Sequence, residues 1–295
     1  MPKAFYNLCF PVCESNHCMN GQLDSVTEPL RIGAVNYLNT RPLVYGLADL
    51  LPEAQLSYDY PSRLADSLSA GDLEIALVPS IELALHPEWS IVSDACIGCL
   101  GSVLSVKLMF RVAPQKVRQL ALDDGSRTSA VLAQILLAEL YGVRPEIIPL
   151  PLGYEPEESA ADAVLVIGDR AIRSRQSDFV EVWDLGDRWR RWAELPMVFA
   201  MWVARPGVVV EAPAIALAAA RDYGVEKLQV IAAEQSLAMQ LPQPLVEEYL
   251  CRNLYYRLGP RQQRGLALYY QKAAELGFIH DVPRVTLDDR QVEHS

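Results

Sequence analysis

Short apolar runs alternate with amphipathic segments along most of the chain from residue 31 onward. An unbroken apolar run of a few residues is typical of a buried β-strand, whereas apolar positions three and four residues apart are typical of a helix. The pattern predicts strands at residues 31–36, 56–60, 74–78, 103–111, 119–122, 146–150, 163–167 and 197–204. It predicts helices at residues 41–50, 62–70, 80–86, 127–141, 169–175, 211–223, 226–238, 243–257 and 261–276. This alternation indicates an α/β protein with mainly parallel sheets.

Four of the predicted strand-to-helix turns carry polar residues. They read AVNYLNTRPL, EIALVPSIEL, LALDDGSRTSAVLAQILL and AVLVIGDRAI. Each lies at the carboxyl end of a strand, which is where ligands bind in open α/β sheets. The sequence therefore predicts that these turns face one another across a shared cleft.

Some residues of these turns have a simple structural explanation. Ser80 and Ser126 are of the type that caps helix N-termini, and either one alone would be interpreted as a cap. Asp123 and Asp124 are typical of a turn and cap rather than of an acid–base pair.

Other residues exceed what a turn requires. Thr128 and Ser129 add hydroxyl groups around helical N–H groups that already favour an anion. Asn39 can both donate and accept hydrogen bonds where only a turn is needed. Gly168, followed by Arg170, would let the backbone approach a ligand closely.

Two long apolar segments bracket the middle of the chain, CLGSVLSVKLMFRV at residues 99–112 and LPMVFAMWVARPG at residues 195–207. We interpret them as two crossings between lobes, with a hinge between the polar turns. We expect lobe 1 at residues 31–111 plus 205–280 and lobe 2 at residues 112–204. They are preceded by an N-terminal extension at 1–30, which we expect to be disordered, and followed by a C-terminal tail at 281–295.

Charge and composition narrow the function classes. The chain has 295 residues and a formal net charge of −11, so it would repel nucleic-acid phosphates and anionic lipid. No apolar run reaches the about 18 residues of a membrane span, and the N-terminus lacks the features of a secretory signal. We expect a cytoplasmic protein with no nucleic-acid or membrane partner.

The cysteines do not indicate a metal site or a disulfide framework. Three of the six cluster near His17, at Cys9, Cys13 and Cys18, without a second cluster of zinc-finger spacing. Cys96 and Cys99 lie in an apolar stretch and are expected to be buried. We therefore expect no metal site.

Five segments in the same order resemble the chorismate dehydratase family, which opens the futalosine route to menaquinone. They are NYLNTRPL, AGDLEIALVPSIE, ALDDGSRTS, VLVIGDRAI and DLGDRWRRWAELPMVFAMW, and the resemblance runs from about Arg31 to Gly277. It implies a fold like that of type II periplasmic binding proteins, with two α/β lobes, a hinge and an interlobe cleft. It also implies a lyase that converts chorismate to 3-[(1-carboxyvinyl)oxy]benzoate and water, with no cofactor. The oligomeric state stays open.

The resemblance also implies roles for particular residues. Asn39 would contact the reacting part of the substrate, and Ser105 would donate to a carboxylate or to the leaving hydroxyl. Thr128 and Ser129 would hold a carboxylate, and Ser80 would form part of the opposite wall. Asn36 stands where the family is associated with serine, so its contact stays open.

Two alternatives remain at this point. One is a non-catalytic binding protein for a small carboxylate. The other is the related 1,4-dihydroxy-6-naphthoate synthase, in which we associate catalysis with a histidine base. The four histidines, His17, His86, His280 and His294, all lie outside the polar turns, which counts against that enzyme. For a dehydratase, a substrate carboxylate that takes the ring proton is the corresponding hypothesis.

Overall fold

The computed structural model describes residues 29–175 and 177–285. The N-terminal cysteines with His17, and most of the expected extension and C-terminal tail, lie outside these residues. The strands are β1 Arg31–Val35, β2 Gln55–Asp59, β3 Ile75–Pro79, β4 Ser90–Cys99, β5 Val106–Phe110, β6 Gln119–Asp123, β7 Glu146–Leu150, β8 Ala163–Ile167, β9 Glu181–Asp184, β10 Met197–Ala204 and β11 Leu254–Arg257.

The helices connect and cover these strands. They are α1 Leu47–Leu50, α2 Pro61–Ala70, α3 Glu82–Leu85, α4 Thr128–Tyr141, α5 Gly168–Arg173, α6 Leu185–Ala193, α7 Glu211–Glu226, α8 Leu228–Met239, α9 Gln243–Glu248 and α10 Pro260–Glu275. Short 3-10 segments occur at Leu38–Val44, Pro114–Lys116 and Pro156–Glu158, and a π-helical turn at Tyr249–Asn253 follows α9. Among the described residues, no helix combines the length and the apolar character that a membrane span needs.

The strands form two separate sheets, which confirms the α/β class. The first sheet has the order β11-β4-β10-β3-β1-β2, and the second has the order β7-β6-β8-β5-β9. Both are mixed rather than mainly parallel: β1 is parallel to β2 and β3, and β6 is parallel to β7 and β8. The antiparallel pairings all involve β4, β5 or β10, the strands next to the passages between sheets. The expectation of mainly parallel sheets was wrong because β4 leads out to the other sheet, whereas β5 and β10 each enter from the other sheet.

The passages between the sheets lie earlier than the expected lobe boundaries. Val106–Phe110, expected in lobe 1, belongs to the second sheet, and Met197–Ala204, expected in lobe 2, belongs to the first. The chain therefore changes sheet between β4 and β5, and again between α6 and β10. An apolar run predicts a buried strand, but it does not identify the sheet that the strand joins.

Several elements differ from the sequence prediction. Strands β4, β9 and β11 and helix α6 were not predicted. The helix predicted at 243–257 ends early and gives way to the π-helical turn and to β11, which pairs with the edge of β4. This edge pairing depends on tertiary contacts, so the local sequence pattern does not reveal it.

Helix α4 lies between the two halves of the molecule. It contacts β8 and α6 on one side and β10 and α10 on the other. Its buried residues include Leu132, Ala133, Ile135, Leu136 and Leu137, so it is apolar over more than one face. This placement brings its N-terminus to the space between the sheets.

Candidate active site

A cavity lies between the two sheets, at the carboxyl ends of β1, β3, β6 and β8. Five of the six residues that the sequence singled out line it: Asn39, Ser105, Thr128, Ser129 and Gly168. The rest of the lining is largely apolar and comprises Val35, Tyr37, Pro61, Pro79, Ile97, Val103, Val106, Ser126, Arg127, Ile167, Phe199 and Ala200. No carboxylate or histidine is among these lining residues. An apolar cavity with a few convergent polar groups is typical of a small-molecule site.

Ser80 does not line the cavity but lies behind Thr128. It is fully buried, and its hydroxyl donates to the Val198 carbonyl at 2.8 Å. The Ser80 and Thr128 hydroxyl oxygens are 3.3 Å apart, and the Tyr270 hydroxyl donates to the Ser80 carbonyl at 2.5 Å. Ser80 therefore connects the β3–α3 turn to the start of α4, and its place differs from the wall position expected from the sequence.

The N-terminus of α4 presents both hydroxyls that were expected to bind an anion. No side chain caps its first turn, so its leading N–H groups lack a capping acceptor. The Thr128 hydroxyl oxygen accepts from the Ile81 N–H at 3.2 Å, and the Tyr269 hydroxyl donates to the Thr128 carbonyl at 3.0 Å. Ser129 makes no side-chain hydrogen bond to the rest of the described chain. These groups and the helix dipole could receive a carboxylate.

Arg127 lines the cavity, yet its guanidinium is paired with carboxylates from the other half of the molecule. One guanidinium nitrogen is 2.9 Å from Glu82 on α3, and the other is 2.5 Å from Asp66 on α2. Glu82 has no exposed side-chain surface, whereas Asp66 is largely exposed. The arginine therefore connects the two halves, and its charge is not available as a free anion site.

Asn39 lies in the 3-10 segment that follows β1. Its side-chain carbonyl accepts from the Thr40 hydroxyl at 3.3 Å, and the adjacent Leu38 N–H donates to Asp169 at 3.1 Å. Burial raises the pKa of the Asp169 carboxyl, and the Leu38 N–H opposes that shift. These contacts fix the segment that presents Asn39 to the cavity.

Asn36 and Arg41 lie outside this lining. The Arg41 guanidinium approaches the Asn36 side-chain carbonyl at 3.5 Å and lies 5.6 Å from the centre of the Tyr58 ring. The position of Arg41 therefore agrees with a role on the surface of its half rather than in the cavity.

Ser105 follows a strained residue in the passage between the sheets. Leu104 has a φ of 60°, in the left-handed region that non-glycine residues rarely adopt. The Asp184 carboxylate accepts from the Ser102 hydroxyl at 2.6 Å, from the Val103 N–H at 2.9 Å and from the Leu104 N–H at 2.7 Å. This clamp stabilises the backbone that directs Ser105 into the cavity, since such strain persists only where surrounding contacts impose it.

Gly168 makes room for Tyr37, which crosses from the first half to the second. Its φ is 67°, and an added Cβ would lie only 2.5 Å from the Tyr37 ring. Tyr37 itself lines the cavity, although the sequence analysis did not single it out. A tyrosine next to an apolar strand resembles an ordinary core residue, so no local signal identifies it.

Asp123 supports the second half from behind the cavity wall. Its carboxylate accepts from the Gly125 N–H at 3.0 Å, the Ile167 N–H at 3.1 Å and the Arg170 guanidinium at 2.6 Å. Burial raises the pKa of this carboxyl, while Arg170 acts against the shift. These contacts agree with its interpretation as a turn residue.

Two other expectations concern histidine and cysteine. His86 stacks on Trp89 with ring centres 4.0 Å apart, in agreement with a packing role, and it is not a lining residue. Cys96 and Cys99 are buried in β4, which confirms their expected place in the core. Within residues 29–175 and 177–285, no group of three or more His, Cys, Asp or Glu side chains is arranged to hold a metal ion.

Sequence comparison identifies the family. The sequence model of a family described as menaquinone biosynthesis matches residues 30–275. The chain belongs to this family. This match confirms the family assignment suggested by the five segments.

Known proteins resemble this family member in sequence and in fold. It is 29% identical over 270 residues to the chorismate dehydratase of Thermus thermophilus, an alignment that covers 82% of this chain and 94% of that protein. A solved structure from Archaeoglobus fulgidus matches with a TM-score of 0.69 at 15% identity, over 85% of this chain and 98% of the other. The aliphatic sulphonate binding protein SsuA of Escherichia coli matches with a TM-score of 0.55 at 16% identity, over 90% and 91% of the two chains. Because SsuA is a periplasmic binding protein, this match shows that the chain has a periplasmic-binding-protein-like fold.

Proposed function

We propose that this member of the menaquinone biosynthesis family is a chorismate dehydratase, a hydro-lyase that forms 3-[(1-carboxyvinyl)oxy]benzoate and water. The observation that carries the proposal is the cavity wall, which offers neutral hydrogen-bond donors around a helix N-terminus and no carboxylate or histidine. A wall of this kind suits a dianion that supplies its own base. The chorismate dehydratase of Thermus thermophilus, 29% identical over most of its length, supports the assignment.

The substrate carboxylates would bind at two places on this wall. One carboxylate would accept from the first-turn N–H groups of α4 and from the Thr128 and Ser129 hydroxyls, where the helix dipole favours negative charge. Ser105, on the passage between the sheets, would donate to the second carboxylate or to the leaving hydroxyl. Holding both ends would restrict chorismate to one conformer and supply much of the catalytic advantage through orientation.

The elimination would then need no ionised side chain. The enolpyruvyl carboxylate would take the proton from the ring carbon that bears the ether oxygen. The electrons of that C–H bond would form a ring double bond, and the hydroxyl on the adjacent carbon would leave and end as water. The Asn39 amide would stabilise the charge that develops near the ether and its carboxylate. The aromatic ring of the product supplies the driving force.

The two halves of the molecule would act as lobes that close on the substrate. The cavity lies between the sheets, and Arg127 joins α4 to the helices of the first half beside it. Closure would exclude water and strengthen the hydrogen bonds to the dianion. Chorismate would be the small-molecule partner of a cytoplasmic enzyme, and the net charge of −11 supports the absence of a nucleic-acid partner.

A non-catalytic receptor for a small carboxylate is the second candidate, and the fold shared with SsuA favours it. Incubation of the purified chain with chorismate distinguishes the two. The dehydratase should produce an aromatic product, followed by ultraviolet absorbance, and mass spectrometry should show the loss of one water. Saturable binding of chorismate by calorimetry without any product would overturn the enzymatic proposal in favour of a receptor.

A further inference from the structure

A π-helical turn lies directly behind the passage that carries Ser105. Residues Tyr249–Asn253 continue α9 with this wider winding, which is rare and frequently occurs at functional sites. Asn253, at the end of the turn, donates from its side-chain amide to the Ser102 carbonyl at 2.9 Å. The turn therefore contacts the same backbone segment whose N–H groups donate to the Asp184 carboxylate.

Tyr249, at the start of this turn, has a buried hydroxyl without a hydrogen-bond partner in the described chain. The residue is only 1% exposed. Three other buried tyrosines bond to backbone carbonyls: Tyr256 to Leu250 at 3.2 Å, Tyr269 to Thr128 at 3.0 Å and Tyr270 to Ser80 at 2.5 Å. The Tyr37 hydroxyl, on a residue that lines the cavity, is the other buried tyrosine hydroxyl without a partner in the described chain. Because an unpaired buried hydroxyl is costly, its presence here needs an explanation other than stability.

The surroundings of this hydroxyl connect it to the cavity. Burial raises the pKa of Tyr249, and the adjacent side chains of Ser105 and Asn39 act in the opposite direction, while Asp169 adds to the increase. The phenol therefore stays neutral and can donate or accept a hydrogen bond, but it cannot serve as a base at ordinary pH. Ser105 and Asn39 both line the cavity, whereas Tyr249 does not.

We propose that Tyr249 is a positioning residue for the dehydration: its hydroxyl engages Ser105 and Asn39 from behind and holds their polar atoms toward the substrate. The inference rests on the proposed function and adds a residue to it. It accounts for the unpaired Tyr249 hydroxyl: Ser105 and Asn39 would become its hydrogen-bond partners only when a bound ligand fixes their side chains. It also gives the π-helical turn a role, because the turn begins at Tyr249 and its last residue, Asn253, bonds to the passage that carries Ser105.

The test is Tyr249→Phe, which removes only the hydroxyl, with Tyr256→Phe as the matched control. Tyr249→Phe should lower kcat for chorismate about tenfold or more, with a smaller change in KM, because orientation in the transition state is lost. Its urea midpoint should be unchanged or higher, since no hydrogen bond is removed. Tyr256→Phe, which loses a bond to the Leu250 carbonyl, should lower the urea midpoint and keep kcat per folded molecule.

A double-mutant cycle with Asn39→Ala tests whether Tyr249 acts through its neighbours. In that background, Tyr249→Phe should change kcat by less than about threefold, because contacting residues that act together are not additive. The inference is overturned if Tyr249→Phe keeps wild-type kcat, if its activity falls only in step with stability, or if the two effects multiply independently. An inactive wild-type chain would overturn the proposed function and this inference together, whereas an active wild type with an unaffected variant would overturn the inference alone.

Discussion

Gly168→Ala should destabilise the protein because Tyr37 occupies the space in which a side chain would stand. The new Cβ would lie 2.5, 2.6 and 2.8 Å from three carbons of the Tyr37 ring. The ring cannot move freely, since Tyr37 is 8% exposed and spans the boundary between the two halves. The substitution also forces a non-glycine residue to a φ of 67°.

Two costs add up in this variant. Left-handed backbone costs an L-residue about 1–2 kcal/mol, and forcing extra volume into a packed site costs about 1–3 kcal/mol. The free energy of unfolding should therefore fall by about 2–5 kcal/mol. Gly71→Ala is the matched control, because Gly71 has a φ of 85° and no atom within 4 Å of the added Cβ. It should lose only the backbone contribution of about 1–2 kcal/mol.

Urea denaturation followed by circular dichroism measures these differences. Combining Gly168→Ala with Tyr37→Leu should reduce the cost of the alanine to that of the Gly71 control, because the ring is gone. If Gly168→Ala and Gly71→Ala lose the same stability, or if Tyr37→Leu gives no relief, then contact with the ring is not what the glycine prevents.

Three further predictions concern the anion site, the connection between the halves and pH. Ser129→Ala should weaken chorismate binding, measured by calorimetry, by about 1.5–3 kcal/mol, which is the range for one hydrogen bond to a charged group. The urea midpoint should not change. An unchanged affinity would show that Ser129 does not bind the substrate. Arg127→Met should lower the free energy of unfolding by about 3 kcal/mol in urea denaturation, because the buried Glu82 carboxylate loses its arginine partner. Adding Glu82→Gln should restore much of the loss, and equal losses in the single and double variants would contradict this reasoning. Hydrogen bonding to the Arg31 side chain lowers the pKa of Glu74 from 4.5 to about 2, although burial acts to raise it. The stabilising contribution of Glu74 to the folded state is therefore present above pH 4.5 and is lost as pH falls toward 2. Glu74→Gln should flatten the dependence of the free energy of unfolding on pH in that window. An unchanged slope would show that the Arg31–Glu74 pair does not cause this dependence.

The positions of Asn39, Thr128, Ser129 and Gly168 were accessible from the sequence because turn chemistry is local, whereas Ser105 was expected only from the family resemblance. Polar residues directly after a buried strand stand at the carboxyl end of that strand in any α/β sheet. The structure places these five residues on one cavity, and their roles in catalysis and binding stay predictions.

The sequence by itself determined the α/β class, most strands and helices, and the polar turns, because side-chain periodicity and turn chemistry act within a few neighbouring residues. Only the tertiary structure decided which sheet each apolar strand joined, since burial alone does not choose a partner strand. It also decided that the Arg127 charge is taken by Glu82 and Asp66, and that Ser80 lies behind Thr128. Tyr37 came to the cavity in the same way: in sequence it resembles a core residue, and only long-range packing brings its ring against Gly168, far along the chain.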